Sequence, residues 1–236
     1  MSLPELTPDL RARLCAVDTP TICNALEHVM GGRTAQGFTY GTLVAAPRPL
    51  QPMLGFVRTA RIRAMAPPPR PAADMRRLRL DYYRYVAGTP ALPTVVVMQD
   101  LDERPGTGSF WGEVNSTVHQ GLGVGGVLTN GSVRDLGELA PGFPILAGSI
   151  GPSHAFVHVQ DIGQPVEVFG LVLRHDEIVH ADRHGAVRIA PEHLGELARC
   201  IELTQRREAP LLAAARRADF DVAALERALH EADDIH

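Results

Sequence analysis

Residues 126–129, Gly-Val-Leu-Thr, form a short apolar run set between glycines. This is the pattern of a strand buried on both faces, the strand type of α/β sheets. Asn130-Gly131-Ser132 then breaks the run, because Asn and Gly accept turn conformations that β-branched residues refuse. Directly after the turn stand Arg134 and Asp135. Neighbours in sequence cannot form an ideal fork with each other, so each is free to point at something else. A polar pair at the end of a buried strand is where α/β proteins place ligands. The competing reading is a surface ion pair capping a helix that starts at Asp135, since Asp135, Glu138 and Leu139 suit a first turn.

One absence narrows the chemistry. All 23 basic residues are arginine, and there is no lysine. A Schiff base, pyridoxal-phosphate attachment and a P-loop each need a lysine side chain. A chain like this that handles carbanions must use a metal or another electrophile. Its three cysteines, Cys15, Cys23 and Cys200, are too few and too scattered for a disulfide framework or a zinc knuckle, and read as small core residues. A formal charge of −4 offers no global attraction to nucleic acid. No stretch approaches the roughly 20 apolar residues that cross a bilayer, and the N-terminus lacks a basic flank followed by an apolar run, so a cytoplasmic protein is expected. The length of 236 residues suits one large domain or two small ones.

Residues 9–17 read as a short amphipathic helix. Thr19-Pro20 gives an N-cap and a first-turn proline for a second helix, with Ile22, Ala25, Leu26 and Val29 as its apolar stripe and Gly31-Gly32 at its end. Residues 37–52 look like a loop, and 56–66 like a strand. The proline-rich run 67–71 is a stiff surface loop. It leads into a helix over 72–86 whose four arginines and three tyrosines suit a solvated face or a subunit contact better than RNA. Residues 94–98 form a buried strand ending in an acidic loop, where Asp100 and Asp102 are either supports of a site or exposed carboxylates. A helix from Gly112 to about Gln120 points its first free amides outward as an anion site. Residues 121–126 match G-x-G-x-x-G, but a helix enters and a strand leaves, the reverse of a dinucleotide site. Beyond Pro144 come five strands, over 145–147, 155–161, 166–173, 177–181 and 186–189, in a hairpin-rich antiparallel arrangement. His154 with His158, and His180 with His184, share strand faces and are geometrically admissible metal pairs, although the acidic residues compete for a hard cation. Residues 191–205 and 221–232 are helical, and Glu208 between them is either a solvated helix end or a contact with a neighbouring subunit.

Glu113, then twenty residues, Arg134-Asp135, two residues and Glu138, resembles the acid-x20-Arg-Asp-x2-acid signature of the RraA-like family. That family includes class II 4-hydroxy-4-methyl-2-oxoglutarate and 4-carboxy-4-hydroxy-2-oxoadipate aldolases. Residues 21–26, 142–145 and 178–187 resemble the family's opening helix, its Gly-Phe-Pro-Val and its closing hairpin. The resemblance implies a β/β/α swivelling-domain-like layered sandwich in the α/β class, with residues 1–236 as one domain carrying helical ends. It further implies a homotrimer or hexamer and a Mg²⁺ or Mn²⁺ site. By position, Arg134 would bind the pyruvyl group and Asp135 would be the metal-side carboxylate. Gly112, Glu113, Val114 and Asn115 would hold the substrate carboxylate, with Glu113 also orienting a water. The implied function is a metal-dependent lyase producing a pyruvate enolate from a 2-oxo acid. The alternative is a non-catalytic regulator that binds RNA-degradation machinery, and Glu138 favours the enzyme. Three positions depart from the pattern: Asn130 and Asn24 stand where Asp is common, and His175-Asp176 replaces Gly-Asp.

Overall fold

The computed structural model describes residues 5–47 and 50–235. Helix α1 (Pro8–Cys15) is capped by Thr7, whose Oγ1 accepts the Leu10 amide at 3.2 Å. Helix α2 (Thr19–Met30) is capped one residue earlier than Thr19-Pro20 suggests. The Asp18 carboxylate accepts the Thr21 amide, which releases Thr19 to turn inward against His180. Gly31, in the left-handed region at φ 72°, ends the helix as its sequence position requires.

The next stretch is not all loop, since it holds β1 (Val44–Ala46). Three residues carry too little pattern to announce a strand, and this one exists because a distant strand pairs with it. The longest strand, β2 (Met53–Arg63), starts three residues before the expected position and is buried along nearly its whole length. Helix α3 (Ala72–Val86) follows the exposed proline loop. Then come β3 (Thr94–Asp100), α4 (Glu113–Gly121), β4 (Val124–Thr129) and the short β5 (Ser132–Val133). After these the chain turns mostly to strands: β6 (Ile145–Ala147), β7 (Ser149–Ile150), β8 (His158–Ile162), β9 (Val166–Val168) and β10 (Leu171–Leu173). The hairpin β11 (Ile178–Asp182) and β12 (Gly185–Ile189) leads to α5 (Leu194–Ala215) and α6 (Val222–Asp233).

Residues 166–173, expected as one strand, are two. Phe169 and Gly170 both adopt positive φ, 51° and 77°, and fold the run into a hairpin. The helix expected from Asp135 is absent as well. Asp135 itself sits at φ 54°, and the Glu138 amide returns to its carbonyl at 2.9 Å, so the chain makes a turn there.

The main sheet runs β1-β6-β4-β3-β2-β11-β12. Strands β2, β3, β4 and β6 are parallel, while β1 and β11 pair antiparallel with their neighbours. One edge of β2 serves two partners: residues 53–56 pair with β11 and residues 60–63 with β8, and the sheet curls where they change over. Side chains alternate across it. Val96 and Met98 of β3 join Tyr82, Val86, Trp111 and Phe143 under α3 and α4. Val95 and Val97 face the other way, onto Val166, Val168, Leu171 and Leu173 of the β9–β10 hairpin. Leu54 and Phe56 of β2 pack on α1, α2 and α5. Hairpin, curled sheet and helices are thus three layers, a mixed α/β fold of the layered type. Among the described residues no helix is long and apolar enough to cross a membrane.

Candidate functional site

Two chain segments meet at the end of the parallel strands. Trp111 forms a parallel bridge with Val133, and the Arg134 amide donates to the Trp111 carbonyl at 2.9 Å. One residue further on each segment, Gly112 opens α4 and Asp135 turns away. Gly112 has extended backbone, φ −167°, so its need for glycine is steric rather than conformational. A Cβ there would lie 2.5 Å from Asp135 Oδ2 and 3.1 Å from Arg134 Cγ.

Gly112 has no side chain with which to cap α4, and Asp135 does it instead. The Glu113 amide donates to Asp135 Oδ2 at 3.2 Å. Arg134 Nη1 lies 3.5 Å from Asp135 Oδ1, an ion contact too long and too one-sided for a fork. Both side chains remain about one-third exposed, 35% and 30%. The two are therefore neither locked together nor sealed in.

The amide set expected to receive a substrate carboxylate is changed by this. Glu113's amide is taken by the protein's own carboxylate, while those of Val114 and Asn115 sit in the first turn, before the Ser116 amide reaches back to the Gly112 carbonyl. The Asn115 side chain points away from that task. Its Nδ2 donates to the Phe110 carbonyl at 2.6 Å and its Oδ1 accepts from Tyr83 at 3.0 Å, a strut under the loop. Glu113's carboxylate is exposed and makes no hydrogen bond or ion pair among the described residues.

Supports of this corner were only partly visible beforehand. Asp100 and Asp102 are buried, not exposed. Asp100 accepts the Asp102 and Gly106 amides, and desolvation raises its pKa against those bonds. Asp102 accepts the Ala64 and Met65 amides at 2.6 and 2.8 Å. Together they shape the loop that delivers Ser109 to Gly112. Asn130 accepts the Asp100 amide and donates to the Asp100 carbonyl, a two-way clamp that an aspartate could not complete. Ser116 Oγ donates to the Glu113 carbonyl and accepts the Ala140 amide, and Ser109 and Ser132 share a bond at 2.7 Å. Small polar residues of this kind leave no periodic signal.

The histidine pairs do not form metal sites. His154 lies in an exposed loop. His180 is buried between Thr19 Oγ1 and the Leu14 carbonyl, with its pKa lowered by desolvation, and His184 bonds Asp182. Among the described residues no group of three or more His, Cys, Asp and Glu could hold a metal. Glu208 contacts its own chain, accepting from Asn24 Nδ2 at 3.5 Å. The cysteines are unpaired; Cys200 is buried and the other two are partly so.

The RraA-like family model, described as Aldolase/RraA, matches residues 19–188. The chain belongs to the RraA-like family. No curated protein matches it by sequence. Among solved structures, an uncharacterized protein from Pseudomonas syringae pv. tomato str. DC3000 is 14% identical with a TM-score of 0.71, over 98% of this chain and 97% of that one. RraAS2 of Streptomyces coelicolor, described as an unusual member of the RNase ES inhibitor RraA protein family, is 19% identical with a TM-score of 0.65, over 92% and 100%. The RNA-processing inhibitor RraA from Thermus thermophilis is 17% identical with a TM-score of 0.51, over 71% and 91%. At these identities the likeness is one of fold, and the layered sheet described above is the RraA-like fold.

Proposed function

We propose that this RraA-like protein is a divalent-metal-dependent lyase acting on pyruvyl substrates. Its reactions would be aldol cleavage of the 4-hydroxy-4-methyl-2-oxoglutarate type and decarboxylation of oxaloacetate, both through a pyruvate enolate. The observation that supports this reading is the meeting of a guanidinium, a carboxylate and a helix N-terminus within one accessible corner.

The residues fit a Mg²⁺ or Mn²⁺ ion with Asp135 as its protein ligand. Asp135 Oδ1 accepts no hydrogen bond among the described residues, only the 3.5 Å ion contact of Arg134, and the group is partly exposed. Hard cations of this kind take one or two carboxylates and keep several waters. A zinc-type site, with three or four nitrogen and sulfur ligands, finds no such cluster among the described residues. When bound, such a cation supplies Lewis-acid polarisation of the substrate's 2-oxo group.

Arg134 then donates charge-assisted hydrogen bonds to the oxygen on which negative charge develops, an effect of about 3 kcal/mol for one such donor. The free amides of Val114 and Asn115, at the positive end of α4, hold the substrate carboxylate. As the carbon–carbon bond breaks, its electron pair passes to the enolate. Glu113, through a water, takes the hydroxyl proton in the aldol case and delivers a proton to the methylene carbon in both, the water supplying it where carbon dioxide is the leaving group. No imine route is open, because the chain has no lysine.

Pyruvate release from oxaloacetate and from 4-hydroxy-4-methyl-2-oxoglutarate tests this. Pyruvate should form with Mg²⁺ and cease when EDTA is added. Turnover that survives EDTA would remove the metal from the mechanism. No pyruvate from either substrate would remove the lyase reading and turn attention to a regulator that binds a protein of RNA degradation.

A further inference from the structure

Helix α3 carries four arginines that differ in their partners. Arg77 and Arg84 pair with Asp74 and Asp81, one turn earlier, at 3.5 and 2.8 Å. Arg76 and Arg79, themselves one turn apart, make no ion pair and no hydrogen bond among the described residues. Arg79 lies over the Tyr83 ring, 5.7 Å from its centroid. Both line a cavity of about 420 Å³ between α3, β8 and the segment 110–115.

The rest of the lining gives that cavity a chemical character. Met75, Phe110 and Val157 make an apolar wall. His158 adds a ring to the lining. Its Nδ1 lies 2.8 Å from the Phe156 carbonyl, which can only accept, so Nδ1 carries the proton. Its Nε2 is shielded from solvent, so a ligand in the cavity meets other atoms of the ring. The volume is that of a small organic molecule. Guanidinium groups select planar carboxylates and phosphates, and two of them one turn apart suit two anionic groups or one doubly charged group. The apolar wall calls for a carbon skeleton beside the charge.

We propose that this cavity is a second binding site, for a small organic dianion. Arg76 and Arg79 grip the charge, and the His158 ring packs beside the ligand. The site is separate from the Arg134–Asp135 corner but shares a wall with it. Phe110 and Asn115 line the cavity, while Gly112 and Glu113 meet Asp135.

Calorimetric titration of the metal-free full chain with glutarate, and separately with inorganic phosphate, tests the assignment. The arginines are exposed and without acidic partners, so Arg76→Gln/Arg79→Gln should fold with an unchanged melting temperature. Saturable binding should survive Arg134→Ala and weaken by about tenfold or more in the Arg76→Gln/Arg79→Gln variant. In the wild type, the ring resonances of His158 should shift at saturation. Tighter binding of glutarate would identify a dicarboxylate, and tighter binding of phosphate a phosphorylated ligand. No binding of either probe below about 10 mM, or a loss that follows Arg134→Ala instead, would overturn the proposal. So would an unmoved His158 signal.

Discussion

Asp135 does two jobs that conflict with ordinary residue preferences: it holds a left-handed backbone at φ 54° and caps a helix to which it does not belong. Asp and Asn are the non-glycine residues that tolerate that backbone, so the two can be exchanged there without added strain. Asp135→Asn should still accept the Glu113 amide through its side-chain oxygen, but it removes the negative charge proposed to bind the cation. Mg²⁺-dependent pyruvate release should fall to background while the melting temperature changes little. Arg134→Ala should reduce turnover about 10²-fold, the scale of losing one donor to a developing oxyanion. Steady-state kinetics and thermal melts of both variants check this, and near-wild-type turnover in both would remove the pair from the chemistry. The place of Arg134 and Asp135 just after a buried strand was legible in the sequence. The capture of Glu113's amide was not, because it depends on a side-chain reach of 3.2 Å across a 22-residue separation.

Helix α4 holds this corner in place, and much of its anchorage is one buried histidine. His119 Nδ1 donates to the Asn115 carbonyl at 2.6 Å, so Nε2 is the acceptor that receives the Tyr82 hydroxyl at 2.7 Å. Trp111 packs on the same ring at 4.5 Å between centroids. Burial lowers the His119 pKa to about 4, against a partial opposing pull from the Asn115 carbonyl. In the unfolded chain the ring titrates near 6.5. Between those values the unfolded state binds a proton that the folded state refuses. The stabilising contribution is complete above about pH 6.5 and is lost as the pH falls toward 4, about 3 kcal/mol in all. Urea melts across that window should show the decline. His119→Gln should be less stable at neutral pH yet show a shallower decline, and an equally steep one would assign the slope to other groups. His180, with its pKa also lowered by burial, adds a slope of the same sign. At this scale the sequence was most readable where periodicity ran long, as in α3, whose bounds match the pattern. It was least readable where a short run depends on a partner, as in β1, or where two positive-φ residues split one apolar run into β9 and β10.

The molecule as a whole presents its candidate corner beside uncovered apolar side chains. Val114 and Val118 sit one turn apart on the outer face of α4, 62% and 37% exposed, and Leu136 directly follows Asp135 at 45%. Val114 lies in the first turn whose amides are proposed to hold the substrate. Apolar residues grouped at a site's rim are a common mark of a subunit contact. The layered fold follows from strands buried on both faces, and that much could be read from runs such as residues 94–98. Assembly is harder to read, since an exposed valine on a helix looks the same in sequence whether water or a partner meets it. We propose a homotrimer, or a pair of trimers, with this rim at the contact, and Val114→Asp/Val118→Asp tests it. Neither side chain is buried within the chain, so the variant should fold. Light scattering should then give the 25.5 kDa mass of a single chain for the variant and a multiple of it for the wild type. Because Val114 lies in the turn proposed to hold the substrate, it is Val118→Asp alone, monomeric and inactive, that would mean that a partner completes the corner. A monomeric variant with full turnover would make each chain's site self-sufficient, and a wild type that is itself monomeric would remove the assembly from the account of the site.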